Sequence, residues 1–436
     1  MTEHLRDQAV ALYRQGLQRI APERLLRQAL EVTPEALRLR FLERAEALPI
    51  GPATRFTVLA VGKAAAPMAL EAHRLLGGRV RQGLVVTKRG FGLPHLPFPL
   101  LECGHPVPDR AGIRAAERVE ALAGHLSRDD VLLALVSGGA SALLPAPLDG
   151  IALAEKQALA RLMLRADMDI HQINRVRKAV SRLKGGGLAV LAHPARVVGL
   201  LLSDVPGDDP GSIGSGLTVP EPVRFAEVIA LLRDKGLWDA APAAVREVLL
   251  AGRHAPKQPP RPPVNGLVGA NRHLLRAVAE AATALGFTTR VEERPTTGLN
   301  ARALPLLEAR WRAFRGEPGN ARRPLCLVSG GETTVEVKGR GRGGRCQELA
   351  ALMLPRLDAR TVFLAAGSDG NDGPTDAAGG VVDRAAWLRL QAAGAPYDAL
   401  LADNDAYALL GSCDSLIRVP PTRNNVMDVH LFLQAG

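Results

Sequence analysis

A chain of 436 residues is too long for one hydrophobic core, so two or three domains are expected. Its composition, 47% hydrophobic and 23% charged, is that of an ordinary soluble globular protein, and with 3% aromatic residues the core must be built mostly of Ala, Leu and Val. The net charge of +11 invites a nucleic-acid partner, but the arginines are scattered and no stacking-aromatic motif accompanies them; the charge reads as solvated faces plus arginines available to anionic substrates.

Residues 2–48 place Leu, Ala and Ile at helical spacing among Arg and Glu, which predicts two or three amphipathic helices with Pro22 and Pro34 as starts. FTVLAVGKAAAPMA, Phe56 to Ala69, reads as a buried strand, a Gly-Lys turn and a helix. LVVTKRG is a further strand, Arg114 to Leu126 a helix, and VLLALVSGGAS, Val131 to Ser141, a strand followed by a loop. Residues 153–191 are mostly helical, broken at Lys184-Gly185-Gly186-Gly187. Ala195 to Gly216 is a strand with a long acidic, glycine-rich loop. Arg253 to Pro263 carries five prolines and is the best linker. Beyond it the pattern restarts, with a helix at Arg272 to Leu285, a strand at FTTRVEE and a helix at Leu299 to Phe314.

The stretch Pro324 to Glu348 then ends a short apolar run in Ser329-Gly330-Gly331-Glu332, adds a second strand TTVEV, and passes through alternating glycines and arginines, Gly339 to Arg345, into a helix. Thr361 to Gly379 is a strand with a loop holding three Asp, and the tail reads as strand, polar turn and helix. Strands alternating with helices indicate βαβ units, whose ligands bind at the carboxyl ends of the strands. The fold class expected is therefore α/β: two Rossmann-like domains with mainly parallel or mixed sheets and an active site in the cleft between them. The domains are expected at 1–252 and 264–436, with the linker at 253–263.

The four cysteines lie far apart without a C-x-x-C pair, which argues against zinc and disulfides and fits a reducing cytosol. The N-terminus shows no signal peptide. There is no Walker A loop, no H-E-x-x-H and no G-x-S-x-G elbow. Gly339 to Gly344 matches G-x-G-x-x-G, but with arginines between the glycines, which is a weak dinucleotide signal.

What remains is cations, glycine loops and carboxylates at predicted strand ends. Lys63, one of few lysines, directly follows a buried strand. The loops Ser137-Gly138-Gly139 with Ser141, and Ser329-Gly330-Gly331, offer backbone N–H groups to phosphates. Arg175, Arg177, Lys178 and Lys184 form a basic run after Asn174, from which either Asn174, Arg177 and Lys184 contact an anion or the whole run is a solvated helix face. Asp204, Asp208 and Asp209, and again Asp369, Asp372 and Asp376, suit Mg2+ coordination, a general base or Asx turns. His105 reads as a turn residue. These are the parts of a phosphoryl-transfer site, where positioning and electrostatics dominate.

The phrases VGKAAAPMA, GHPVPD, VSGGASALL, INRVRKAVSRLKGGGLA, LLSDVPGDDPGSIGSG, SGGETTVEV, GGRCQELAA and GSDGNDGPTDAAGG occur in this order. Together they resemble the glycerate 2-kinase family with a C-terminal MOFRL domain, over nearly the whole chain. The resemblance implies ATP-dependent phosphorylation of D-glycerate to 2-phosphoglycerate with Mg2+. It also implies active-site roles for Lys63 and Arg345. The chain departs from the family in having Cys346 where Asn is usual and Leu217 where Ser-Gly-Pro is usual. The expected assignment makes Lys63, Arg345 and Asp204 catalytic, with Asp204 as base, and makes Asp208 and Asp372 metal ligands. The MOFRL region is expected at about 324–433. The partners expected are D-glycerate and ATP, in the cytoplasm, with no nucleic acid and no membrane, and a homo-oligomer left open. The rival reading is a nicotinamide-dependent hydroxypyruvate reductase.

Overall fold

The computed structural model describes residues 2–166, 168–252 and 258–436. It is an α/β protein of two compact units, one spanning Pro22–Gly269 and the other joining the residues up to Ala21 to Ala270–Gly436.

The first unit is built on six parallel strands: β1 (Arg55–Val61), β2 (Val80–Lys88), β3 (Leu100–Cys103), β4 (Asp130–Val136), β5 (Arg196–Leu202) and β6 (Val264–Gly269). Their order is β3-β2-β1-β4-β5-β6. Every residue of β4 is buried, as its uninterrupted apolar run dictates for a strand covered on both faces. The core around it contains only Leu, Val, Ala, Ile and Cys, the composition expected from so few aromatics. Strand order reverses between β1 and β4, the switch point at which doubly wound sheets open a crevice. The helices Leu153–Arg165, Ile170–Ala179, Phe225–Asp234 and Ala243–Ala251 pack together around Leu159, Met163, Val176 and Leu232.

The second unit has seven strands: β7 (Thr288–Val291), β8 (Thr296–Leu299), β9 (Leu325–Thr334), β10 (Thr361–Gly367), β11 (Gly379–Asp383), β12 (Leu416–Ile417) and β13 (Asp428–Gln434). The order is β7-β9-β13-β10-β11-β12, with β8 also beside β9, and the sheet is mixed. The scarce aromatics concentrate here. Phe432 lies 4.6 Å from Phe363 and stacks on Trp311 at 5.2 Å, each pair adding about 0.5–1.5 kcal/mol beyond the area buried.

The structure corrects several expectations. The division does not follow 1–252 and 264–436. Val264–Gly269 extends the first sheet beside β5, and the helix Thr2–Arg19 packs on the helix Asn271–Ala284. Gly16 allows that approach, since a Cβ there would lie 2.5 Å from the Val278 side chain. Tyr13 then donates its hydroxyl to the carbonyl of Gly367 at 2.7 Å. Of the proline-rich linker, residues 253–257 lie outside the described residues. Residues 30–49 form a three-stranded antiparallel sheet, not a helix. The reason is period-two burial: Leu37 and Leu39 turn inward while Arg38 and Arg40 stay out. The tail ends in strand β13, not a helix, because its run is buried on both faces between β9 and β10. No described helix is long and apolar enough to cross a membrane.

Candidate active site

Three loops meet at the carboxyl ends of β1, β4 and β5. After β1 the chain turns through Gly62 and Lys63; after β4 it turns through Ser137, Gly138 and Gly139; after β5 it enters Ser203 and Asp204. Backbone bonds lock the first two loops together. Ser137 N–H donates to Val61 O and Lys63 N–H donates to Gly138 O, both at 2.9 Å. The Ser137 hydroxyl accepts from Ala64 N–H at 3.0 Å. Sequence explains the closeness. A Cβ at Gly62 would lie 2.2 Å from Ser137 Oγ, and one at Gly138 would lie 2.2 Å from Asp204 Oδ2. Gly139 sits at φ +87°, and a Cβ there would approach the His105 ring at 3.2 Å and Lys63 Cγ at 3.7 Å. Lys63, His105, Asp204 and the two glycines thus surround one place.

The electrostatics of that place are asymmetric. Burial pushes the Asp204 carboxyl above its ordinary value, and the Lys63 ammonium works against that rise. The N–H groups of Gly138 and Gly139 have no acceptor among the described residues. Glycine loop, cation and carboxylate are thereby brought together at the carboxyl ends of β1, β4 and β5.

A second layer fixes the loop after β5. The Ser141 and Ser215 hydroxyls share a bond of 2.8 Å, and Ser215 Oγ donates to Asn174 Oδ1 at 2.9 Å. Asn174 Nδ2 donates to Ser212 O at 3.3 Å. Asn174 is buried, and both its amide oxygen and its amide nitrogen take part in this bracing. Gly185 and Gly186 donate their N–H groups to Ser215 O and Gly216 O, which turns the chain so that Lys184 points inward. Lys184 is buried and donates to Leu144 O at 2.6 Å. Burial first and Arg177 second push it down to about 7. The run from Asn174 to Lys184 is therefore not simply a solvated face.

The second unit does not repeat this arrangement. Ser329, Gly330 and Gly331 lie within β9, paired with His430, Val429 and Asp428 of β13. Gly331 also pairs with Thr296 of β8. Ladder pairing replaces the expected phosphate loop. The arginine-filled glycine loop is likewise occupied from within. Lys338 and Gly339 N–H groups go to Asn404 Oδ1, and Arg340 N–H goes to Asp403 Oδ1. Gly341 N–H goes to Asp403 O, and Arg342 N–H goes to Asp405 Oδ1.

Arg345 is similarly committed within this unit. Its Nε and Nη2 grip Asp428 at 2.6 and 2.9 Å, and its Nη1 reaches Glu332 at 3.0 Å. Burial opposes the guanidinium charge, but these two carboxylates more than restore it. The expected metal ligand Asp372 is corrected. Its two oxygens accept the N–H groups of Cys346 and Gln347, at 3.2 and 2.8 Å, capping the helix Arg345–Met353. Burial still pushes it up to about 6. Among the described residues no three His, Cys, Asp or Glu converge to hold a metal. Asp208 differs from Asp372 in having a buried Oδ1 with no hydrogen-bond partner, at a backbone φ of 56°. One such oxygen fits a Mg2+ that takes most of its ligands from phosphates and water.

The sequence reading missed two residues. His105 reads as a turn residue in the sequence, yet its ring would lie 3.2 Å from a Cβ on Gly139. Lys156 was not singled out, although it is buried in the helix Leu153–Arg165; a lone lysine on a helix carries no signal of a buried partner.

The chain matches two family profiles: residues 8–250 match a domain of unknown function, DUF4147, and residues 325–428 match the MOFRL family. It is 36% identical to a D-glycerate 2-kinase from Thermotoga maritima, covering 94% of this chain and 99% of that protein. It is 33% identical to a human glycerate kinase, covering 98% and 93%. A crystal structure of a glycerate kinase from Thermotoga maritima superposes with a TM-score of 0.85 at 32% identity, covering 99% of this chain and all of that one.

Proposed function

Because the chain belongs to the glycerate kinase family with a MOFRL region, we propose that it transfers a phosphoryl group from ATP to the 2-hydroxyl of D-glycerate. One observation carries this reading. At the switch point of a parallel sheet, unpaired glycine N–H groups, an ammonium and a half-buried carboxylate with a raised proton affinity are held together by the loops after β1, β4 and β5. A metaphosphate-like transition state needs that set: donors and a cation for the equatorial oxygens, and a carboxylate for the leaving proton.

In this mechanism the glycerate 2-oxygen bonds to the terminal phosphorus of ATP as the bond from that phosphorus to the bridging oxygen breaks, ADP leaves with that oxygen, and Asp204 accepts the hydroxyl proton. A carboxylate whose proton affinity is raised is a better base than an exposed one. Lys63 offsets the charge on the phosphoryl oxygens, and Gly138 and Gly139 donate to them. Asp208 would hold a Mg2+ carried by the nucleotide, and that ion would neutralise phosphate charge. Arg345 enters as a positioning residue that joins the start of the helix Arg345–Met353 to β13 through Asp428.

The test is ADP release from ATP in the presence of D-glycerate, with the product's phosphate located by phosphorus NMR. Release dependent on D-glycerate with phosphate on the 2-position is expected. Absence of release, together with NADH oxidation on adding hydroxypyruvate, would replace this reading with the reductase.

A further inference from the structure

A small cavity of about 40 Å3 opens beside the glycine loop, between Ser141, the loop at Pro106–Pro108 and the helices Leu153–Arg165 and Ile170–Ala179. Four cations line it, the exposed Arg161 and a cluster of three further in: Lys156, Arg177 and Lys184. Lys156 and Lys184 are only 6% and 1% exposed. Lys156 Nζ donates to the carbonyls of Pro145 and Val180, and Lys184 Nζ to that of Leu144. Arg177 has no hydrogen-bond or ion-pair partner among the described residues, and neither lysine has a carboxylate partner there. Their neighbours do: Lys178 pairs with Glu221, and Arg182 with Glu120 and Asp149. The remaining lining is largely apolar, including Leu159 and Met163.

Burying like charges without counter-charge is costly, and carbonyl dipoles compensate it only in part. We propose that this cavity binds a phosphate group, whose oxygens take the guanidinium of Arg177, the remaining ammonium protons of Lys156 and Lys184, and the hydroxyl of Ser141. A single carboxylate could balance only one of the three cations. A phosphate dianion offers three oxygens to the forked guanidinium and to both lysines. The proposal rests on the kinase reading only for the source of the phosphate, which is either the nucleotide donor or a phosphorylated acid or free phosphate.

The titration state of the cluster supports it. Burial first, then Lys184, Arg177 and Arg182, push Lys156 well below its ordinary value, and Lys184 falls to about 7. Burial alone lowers Arg177. Arg161 also lines the cavity, and no carboxylate contributes to the shift of Lys156, Arg177 or Lys184. A bound dianion raises Lys184 again, so the protein takes a proton from the buffer when it binds.

The experiment is calorimetric titration of the full chain with ADP and, separately, inorganic phosphate, about one pH unit above the Lys184 midpoint, in two buffers of different ionisation enthalpy. Expected are uptake of up to about one proton per ligand and, in Arg177→Gln, a roughly 10- to 100-fold weaker Kd with an unchanged melting temperature. Competition between ADP and phosphate assigns the site to the donor; simultaneous binding assigns it to the acid or the free anion. Lys156→Met serves as a second variant, with the same weakening expected. Wild-type affinity in both variants, or binding without proton uptake, overturns the proposal. Glycerate phosphorylation is read separately. A competent kinase whose ligand binding ignores Arg177→Gln removes the pocket alone. Binding with proton uptake in a protein that cannot phosphorylate glycerate removes the kinase reading alone.

Discussion

Leu-Val-Ser-Gly-Gly occurs at 135–139, where it leaves a parallel strand, and at 327–331, where it runs through a mixed sheet. The five residues are identical, so their neighbours decide. At β4 the ladder pairing stops with the strand: Val136 pairs with Val61, the last residue of β1, and with Leu201, one residue before the end of β5. The chain turns there, and two glycine N–H groups stay available. At β9 the partners continue: β13 reaches Gly331 through Asp428, and β8 pairs from Gly331 to Thr334. The glycines are needed in both places for different reasons. Gly138 makes room for the Asp204 carboxyl, whereas Gly330 makes room for Asn271, whose amide holds the carbonyls of Val426 and Asp428. A loop of backbone donors needs the sheet to end, and only the first phrase has that.

Breaking the first region should remove activity, and breaking the second should remove stability. The largest effect is expected from Lys63→Ala. Losing a transition-state cation costs about a thousandfold or more in kcat, and the melting temperature should change little. Near-normal turnover would separate Lys63 from the chemistry. Next is Arg345→Ala, which leaves the fully buried Asp428 without its partner. A loss of about 2–4 kcal/mol in denaturant unfolding is expected, below the figure for a wholly buried pair because the guanidinium is 31% exposed. An Arg345→Ala protein of wild-type stability that is inactive would make this arginine catalytic, not positional.

The smallest effect is a pH slope in the second unit. Asp372 has its folded value raised to about 6, so its contribution to stability is present below about pH 4 and is lost as pH rises through 6. His430 is lowered to about 4, so its contribution runs the other way: it is present above about 6.5 and lost as pH falls through 4. The two partly cancel. Asp372→Asn should therefore make stability rise more steeply with pH between about 4 and 6, by up to about 1.4 kcal/mol per unit. Urea midpoints across that range check it, and a slope equal to that of the wild type would refute the raised value.

Much of the first unit was legible in the sequence because parallel strands are buried on both faces and end in glycine. The runs at Phe56–Val61 and Val131–Val136 announce strand and turn together, and Lys63 and Asp204 follow directly. The second unit was harder to read. Nothing local to Ser329-Gly330-Gly331 reveals that two strands distant in sequence pair beyond it. Nor does the glycine loop before Arg345 show that Asp403, Asn404 and Asp405 take its donors. Asp372 gave the same misleading signal, since a carboxylate in a glycine-rich loop looks alike whether it awaits a metal or caps a helix. His105 and Lys156 emerge only when loops and helices distant in sequence are folded against Gly139 and Arg177.

The contrast between the two phrases is tested most directly by one substitution made twice. In Gly138→Ala and Gly330→Ala the new methyl meets Asp204 Oδ2 and Asn271 Oδ1 respectively, each at 2.2 Å. The readout is kcat with D-glycerate and ATP per folded molecule, with the melting temperature of each variant. Gly138→Ala is expected to lose about a hundredfold in kcat while staying folded, because the donors and the base are displaced together. Gly330→Ala is expected to melt earlier but turn over normally once folded. A folded, inactive Gly330→Ala beside an active Gly138→Ala would place the chemistry on the other phrase and contradict the assignment.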